Sequence, residues 1–277
     1  LKQCSQTDDY LKVSATCSQI TNLTTALGSL ASTLERFLRF SGFYLLSAAF
    51  ESIAALATVL MEEPIVTETQ AAREKQSFHQ LPGQLIRLVK DSARALCSTP
   101  LAARLIVSSA VISVPSYLTK MFVQQRLIEL GWPTALLFLP LLLSGLASVL
   151  GTEVGRRVRP CSLRRFYAVC ALLCGGGCVL VGAAPALGCI AGCMLVQGAL
   201  EVWLLHEDRL LNDAIPSDQR ATLISVDSMA YSLLMIPASP LVGAVGDVFG
   251  QAGAGLAALG VCVAVSGALA LYYKASV

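Results

Sequence analysis

A run of apolar residues from Ala221 to Gly246 limits what this chain can fold into more than any other feature. Asp227 is its only charged residue, and at more than about 20 residues the run can cross a hydrocarbon core of about 30 Å as a helix. Its Pro and Gly residues are tolerated in a membrane where neighbouring helices cover the loosened backbone. We expect Pro216 to lie in a turn before the run and Arg220 in the first helical turn, at the cytoplasmic end.

The composition agrees with a membrane protein. Hydrophobic residues make up 55% of the chain and charged residues 14%, against about 25% charged in an ordinary soluble domain. Several further apolar runs occur, and none shows the alternation of a strand. The predicted fold class is therefore an all-α, polytopic membrane helix bundle with about eight transmembrane helices.

Other function classes receive little support from the residues. The net charge is only +2, so we expect no nucleic acid partner. Two His residues, without zinc-type spacing of His and Cys, predict no metal site and no cofactor. We find no paired His/Asp, no HExxH and no Ser-His constellation, so we expect no enzymatic activity.

Three cysteines recur every four residues, at Cys170, Cys174 and Cys178, and so share one face of a helix. They could form a thiol metal site, or they could be small, soft packing residues in a helix interface. We prefer the second interpretation. The glycines at 175–177 lie in the same span, where close helix packing explains them better than a phosphate loop does.

Eight spans are predicted in three parts of the chain, residues 1–62, 63–100 and 101–277. The weakly apolar Val13–Leu34 needs neighbouring helices to pack against, and the hydrophilic middle part contains no span. The predicted spans are Val13–Leu34, Ser41–Met61, Leu101–Phe122, Pro133–Thr152, two helices within 166–200 separated at Ala184–Gly188, Ala221–Gly246 and Val248–Tyr273.

The distribution of basic residues predicts the orientation. With Leu1 on the cytoplasmic side, 16 of the 20 Lys and Arg residues fall on that side, three fall outside, and Lys120 lies within or near a span. This asymmetry matches the positive-inside rule. We expect a multi-pass protein with both termini cytoplasmic.

Motifs at the ends of the Ala221–Gly246 run resemble bacterial transporters of the major facilitator superfamily (MFS). The start is similar to the start of helix 11 in that family, on Asn212, Ile215, Pro216, Arg220, Ala221, Thr222 and Ser225. The end is similar to the turn from helix 11 into helix 12, on Ser239, Pro240, Leu241, Gly243, Gly246, Asp247 and Gly250. Residues 8–13 with 22–28 resemble the start of helix 5, and Glu62-Glu63-Pro64 resembles the stop after helix 6.

The resemblance covers nearly the whole chain and implies helices 5–12 of a twelve-helix fold, without the first four. It implies that 1–62 is the remainder of the N-terminal half, 63–100 the cytoplasmic linker and 101–277 the C-terminal six-helix half. Two inverted three-helix repeats, Leu101–Leu187 and Gly188–Val277, would form that half, with a binding site near their interface.

The implied function is secondary active transport of a small solute by alternating access across the bacterial inner membrane, with proton-coupled efflux as one form. The alternative is a truncated or non-transporting membrane scaffold or receptor. Expected partners are membrane lipid, the solute and protons. Missing N-terminal helices or another copy of the chain would be needed for robust transport, because alternating access requires two halves.

Candidate site residues follow from charges inside spans and from the family's motif positions. Glu201 and Asp227 should face the bundle interior, either coupling solute and protons or forming a network with Arg209 or Arg220 at the cytoplasmic mouth. The other candidates for the substrate or proton pathway are Gln197, Tyr231, Tyr117, Lys120 and Gln124. Residues resembling the family's loop between helices 8 and 9, with either a gating or an anchoring role, are Gly151, Gly155, Arg156 and Arg157, joined as gating candidates by Arg220. The predicted helix 11–12 turn contains Gly243, Gly246, Asp247 and Gly250.

Overall fold

The structure, a computed structural model, describes residues 7–30, 35–60, 100–158, 162–214 and 220–272. It is a bundle of α-helices, and these five ranges contain no strand, which confirms the predicted all-α class. The helices are α1 (Thr7–Ser29), α2 (Glu35–Val59), α3 (Pro100–Glu129), α4 (Phe138–Arg157), α5 (Leu163–Ala183), α6 (Ala186–Ala214), α7 (Arg220–Phe249) and α8 (Ala252–Tyr272), with a 3-10 turn at Thr134–Leu136 before α4.

Six helices, α3 to α8, are long and apolar enough to cross a membrane. The apolar stretch of α2, Tyr44–Val59, is shorter than a span, and α1 is not among the six. The described part of the chain is therefore a polytopic membrane helix bundle, in which six of the eight predicted spans meet the length and hydropathy of a transmembrane helix. The predicted hydrophilic segment 63–100 lies outside the described residues except for Pro100.

Several predicted boundaries were wrong because polar residues at span ends continue the helix. Helix α3 runs through Gln124 to Glu129, beyond the predicted end of its span at Phe122. Helix α7 continues to Phe249, so Val248 does not begin the last span. The predicted break at Ala184–Gly188 is confirmed in position, since α5 ends at Ala183 and α6 begins at Ala186.

Helix α3 lies at the centre of the bundle and contacts α5, α6, α7 and α8. Its interior Pro115 lacks the N–H that an α-helix needs. Neighbouring helices donate to carbonyls on either side of it: Cys174 Sγ lies 3.7 Å from the Ile112 carbonyl oxygen, and Gln197 Nε2 lies 3.0 Å from that of Ser116. Side chains of α5 and α6 thus stabilise the backbone of α3 around the proline.

The six apolar helices pack as two crossed triplets, α3–α5 and α6–α8. The middle helix of each triplet lies on the first helix of the other, α4 on α6 and α7 on α3. The two third helices, α5 and α8, form the most extensive contact in the bundle. Two inverted three-helix repeats would pack in this way.

Glycines seven residues apart bring α5 and α8 close together. A Cβ on Gly175 would lie 2.5 Å from the Gly260 carbonyl oxygen, which is closer than real Cβ atoms come. Gly182 meets Gly253 in the same manner one repeat further on. We call these facing pairs the glycine register; small residues of this kind let helix backbones approach in a membrane.

Helices α1 and α2 differ in their packing. Helix α1 lies on α4, where Ala26 is fully buried and a Cβ on Gly145 would fall 2.5 Å from the Ala26 Cβ. The small-residue packing expected for this weakly apolar helix is therefore observed. Every side chain from Tyr44 to Val59 in α2 is exposed.

Candidate functional site

Three acidic residues of α6 and α7 lie within electrostatic range of one another, and one of them bonds to α3. Glu207 and Asp208 lie on α6, and Asp227 of α7 is among the charged groups near Glu207. Ser109 of α3 donates a hydrogen bond from Oγ to Glu207 Oε2 at 2.5 Å. We call Glu207, Asp208 and Asp227 the acidic cluster.

Glu207 is the most deeply buried member of the acidic cluster, with 4% of its surface exposed. Its second oxygen, Oε1, has no hydrogen-bond partner within the described part of the protein. Among the described side chains, no Lys or Arg forms an ion pair with Glu207 or Asp227. The protein therefore places a carboxyl group between apolar helices, with a hydrogen bond from a serine and no cation paired with it among the described residues, an arrangement typical of proton or ion pathways.

Aromatic side chains of α5 and α6 pack together beside the turn of α6 that contains Glu207. The rings of Phe166 and Trp203 stack with their centroids 5.7 Å apart, and His206 meets Phe166 edge-on at 4.8 Å. His206 Nε2 lies 2.9 Å from the Gly155 carbonyl oxygen of α4. These contacts hold the α6 turn containing Glu207 against its neighbours.

Glu207 and Ser109 were not among the predicted site residues. The predicted span ended at Leu200, and Glu201 was taken as the acidic residue of that helix. The signal that could have found Glu207 is the absence of Pro and Gly from 201 to 214, which predicts that the helix continues. Glu207 then lies inside a span, where an ionisable residue is a functional candidate.

Glu201 faces other helices, as predicted. It does not face the contact between α3 and α7 where Asp227 lies. Its Oε2 accepts hydrogen bonds from Ser18 of α1 at 2.9 Å and from Thr152 of α4 at 3.3 Å. It therefore joins α1 and α4 to α6. Arg209, a predicted partner, instead lies 4.0 Å from Asp213 on its own helix.

Asp227 lies partly buried on α7, one helical turn before Tyr231. Tyr231 meets Tyr117 of α3 edge-on, with ring centroids 6.4 Å apart. The structure thus brings three predicted pathway residues to the α3–α7 contact, and Asp227 is the one of them near Glu207. Arg220 is the first residue of α7, as predicted, while Pro216 lies outside the described residues.

The remaining pathway candidates have different surroundings. Gln197 is buried, and its amide donates to the Ser116 carbonyl oxygen beside Pro115. Gln124 donates to the Leu137 carbonyl oxygen at 3.4 Å and ties α3 to the chain before α4. Lys120 is exposed on α3. These three are not gathered with the acidic cluster.

The predicted loop residues Gly151, Gly155, Arg156 and Arg157 lie within α4, so their placement in a loop was wrong. A Cβ on Gly151 would come within 2.9 Å of the Gly198 Cα, and one on Gly155 within 3.3 Å of the Val202 Cα. These glycines let α4 approach α6. Both arginines pair with Glu153, at 2.9 and 2.7 Å, in the last turns of the helix.

The turn between α7 and α8 is shorter than predicted, because Gly243, Gly246 and Asp247 all belong to α7. Gly250 has a φ of 65°, which favours glycine. Gln251 N donates to the Gly246 carbonyl oxygen at 2.9 Å and Gly250 N to that of Asp247 at 3.2 Å. This pair of bonds is the Schellman ending of a helix, with Gly250 at the left-handed position.

The row of cysteines on α5 packs against α3. Cys170, Cys174 and Cys178 are buried, and Cys178 Sγ lies 3.5 Å from Thr119 Oγ1. The described residues contain no group of three or more His, Cys, Asp or Glu that could hold a metal ion. The contacts are those of the helix-packing interpretation.

Comparison of the chain with protein-family models, with curated proteins and with solved structures finds no match.

Proposed function

We propose that this protein is a secondary transporter that carries a small solute across a membrane by alternating access, coupled to protons at the acidic cluster. The observation that carries the proposal is Glu207, buried at the meeting of three membrane helices with one oxygen unpartnered in the described structure. Proton binding would remove a charge at a place where no described cation balances it. The resemblance to MFS transporters supports the same function.

The position of the cluster fits coupling between binding and movement. Ser109 and Glu207 belong to the first helices of the two triplets, and Asp227 belongs to the middle helix of the second. In transporters built from inverted repeats, the substrate site lies at the interface between repeats. A proton held there alters the attraction between α3, α6 and α7, which are the helices that a rocking motion would separate.

Tyr117 and Tyr231 add an aromatic pair to this interface. Their edge-to-face contact closes the α3–α7 seam one turn from Asp227. An aromatic pair beside carboxyl groups can stack on a solute or separate to admit one. We assign the two tyrosines to solute contact and the carboxyl groups to proton exchange.

The test uses vesicles containing the purified protein, a trapped pH indicator and an imposed pH gradient. Representative sugars, amino acids, organic cations and organic anions are added one class at a time. Because a second copy of the chain in the same vesicle can supply the other half, we expect one class to move protons with the native protein. Glu207→Gln and Asp227→Asn should reduce that signal by at least about tenfold. The matched control is Glu153→Gln, which removes a carboxylate from the end of α4 and should leave the signal unchanged.

A second measurement separates binding from transport. In lightly buffered detergent solution, adding the active solute class should change the number of bound protons for the native protein and not for the two cluster variants. If no class moves or binds protons through the native protein, the proposal is wrong. Solute binding without any proton response would favour the alternative of a non-transporting receptor.

A further inference from the structure

A long groove runs along the outside of the bundle between α4 and α5, with α6 as its floor. Its volume is about 770 Å³. Apart from Ser162 and Arg165, every residue lining it is apolar or glycine. Gly151 and Gly198 deepen the groove, because α4 and α6 approach closely there without side chains.

The groove runs along the length of α4. Residues 147–158 of α4 line it, which at 1.5 Å per residue corresponds to about 16 Å. Half of a hydrocarbon core of about 30 Å is nearly the same length. Val158, Ser162 and Arg165 lie at one end, and Ala147, Leu173 and Ala191 lie toward the other. The groove therefore extends from the end of a span to about the middle of the bilayer.

Positive charge is concentrated at the first of these ends. Arg165 is exposed and has no ion-pair or hydrogen-bond partner among the described residues. It lies in the first turn of α5, and Ser162 at the N-cap makes no side-chain capping bond. The helix N-terminus contributes its own partial positive charge there. The neighbouring Arg164 turns away and donates to the Ala270 carbonyl oxygen of α8.

We propose that this groove holds one acyl chain of an anionic phospholipid, whose phosphate contacts Arg165 and the N-terminus of α5. The groove's length fits the chain of one leaflet, and its apolar lining offers a lipid tail close packing. A zwitterionic lipid would bring its own cation into the same positive field. The site should therefore prefer a lipid with net negative charge.

The experiment is native mass spectrometry of the detergent-purified protein with equal amounts of phosphatidylglycerol and phosphatidylcholine of the same chain length. The native protein should retain phosphatidylglycerol preferentially. Arg165→Gln should reduce that preference by about fivefold, which corresponds to about 1 kcal/mol for one basic residue at an anionic surface. Ala191→Phe fills the inner end of the groove and should reduce retention of both lipids.

Two controls match these changes in charge and in volume. Arg104→Gln removes an exposed arginine from α3, and Ala268→Phe adds a ring to an exposed position of α8. Both should behave as the native protein does. If Ala191→Phe does not fold, Leu195→Trp on the same side of α6 replaces it.

Equal retention of the two lipids by the native protein would overturn the proposal. So would a preference that Arg165→Gln leaves intact. A dimer that Ala191→Phe dissociates, with lipid retention unchanged, would instead assign the groove to a second copy of the chain and would also overturn it.

Discussion

The two sides of the bundle differ in how their helices are covered. On one side, α5 and α8 meet through the glycine register, where the Gly175 and Gly260 backbones touch. On the other side, Val242 and Gly246 are the only buried residues of α7 among 225–249. Lipid tails are as apolar as leucine, so exposed apolar side chains on α7 carry little penalty in a membrane. Packing of backbones holds the first side together, while the second side presents apolar side chains to its surroundings.

The largest effect should come from filling the glycine register. Gly182→Leu places a side chain against the Gly253 and Ala257 backbones, which cannot move without separating α5 from α8. We expect a loss of about 3 kcal/mol or more, seen as failure to recover folded protein or as a large fall in thermal midpoint in detergent. Gly176→Leu is the control, because a Cβ there meets nothing within 4 Å. Equal damage by both would show that the register is not what joins the two helices.

The next prediction compares a buried leucine of α3 with an exposed leucine of α7. Leu118 is fully buried and Leu233 is 67% exposed. Leu118→Ala should cost about 2 kcal/mol or more through lost packing, whereas Leu233→Ala should change stability by less than about 0.5 kcal/mol. Denaturant titration of the two variants in the same detergent measures the difference. A large loss from Leu233→Ala would mean that α7 is covered by another surface.

Helix α8 has a further attachment at its first residue. Glu129, at the end of α3, accepts hydrogen bonds from the Ala252 backbone N–H at 3.1 and 3.2 Å and lies 3.3 Å from the buried Arg126. Glu129→Ala removes a helix cap and leaves Arg126 without its carboxylate, so we expect a loss of about 2 kcal/mol. Thermal unfolding checks this, with Glu153→Ala as a comparison in which exposed arginines lose their partner and stability changes little.

The smallest effect concerns the turn that joins the two sides. Gly250→Ala forces a Cβ into a φ of 65° and should cost about 1 kcal/mol. Gly243 lies inside α7, and a Cβ added there would meet nothing within 4 Å. Gly243→Ala should therefore stabilise the helix slightly. Opposite signs in paired unfolding measurements are the expected result. Stabilisation by Gly250→Ala would contradict the left-handed turn.

The helices and one of the turns follow directly from local sequence. Apolar runs near the length of a span predict α3 to α8, because each helix satisfies its own backbone hydrogen bonds whatever its neighbours are. Gly250 was predicted as part of the turn between α7 and α8, and its left-handed conformation involves only the local backbone. The break near Ala184–Gly188 was located for the same reason.

Helix ends were less predictable. Gln124 to Glu129 and Gly151 to Arg157 contain polar and charged residues, so the predicted spans ended at Phe122 and Thr152, and the second segment resembles a loop of the MFS family. In the structure they are helical, because Arg126 and Glu129 bond to the start of α8 and Gly155 packs on Val202. Those partners lie far away in the chain, so no local pattern contains the information.

Which residues form the candidate site was decided by tertiary structure alone. Glu201 and Glu207 are both acidic residues of one apolar helix, and nothing in the sequence distinguishes them. They point to different sides of α6. Glu201 bonds to Ser18 and Thr152, whereas Glu207 bonds to Ser109. The amino-acid pattern alone predicts that charges lie within the spans of a membrane helix bundle. Only the packing of α3, α6 and α7 decided which of them meet, because contacts between helices depend on how the helices are rotated and aligned against one another.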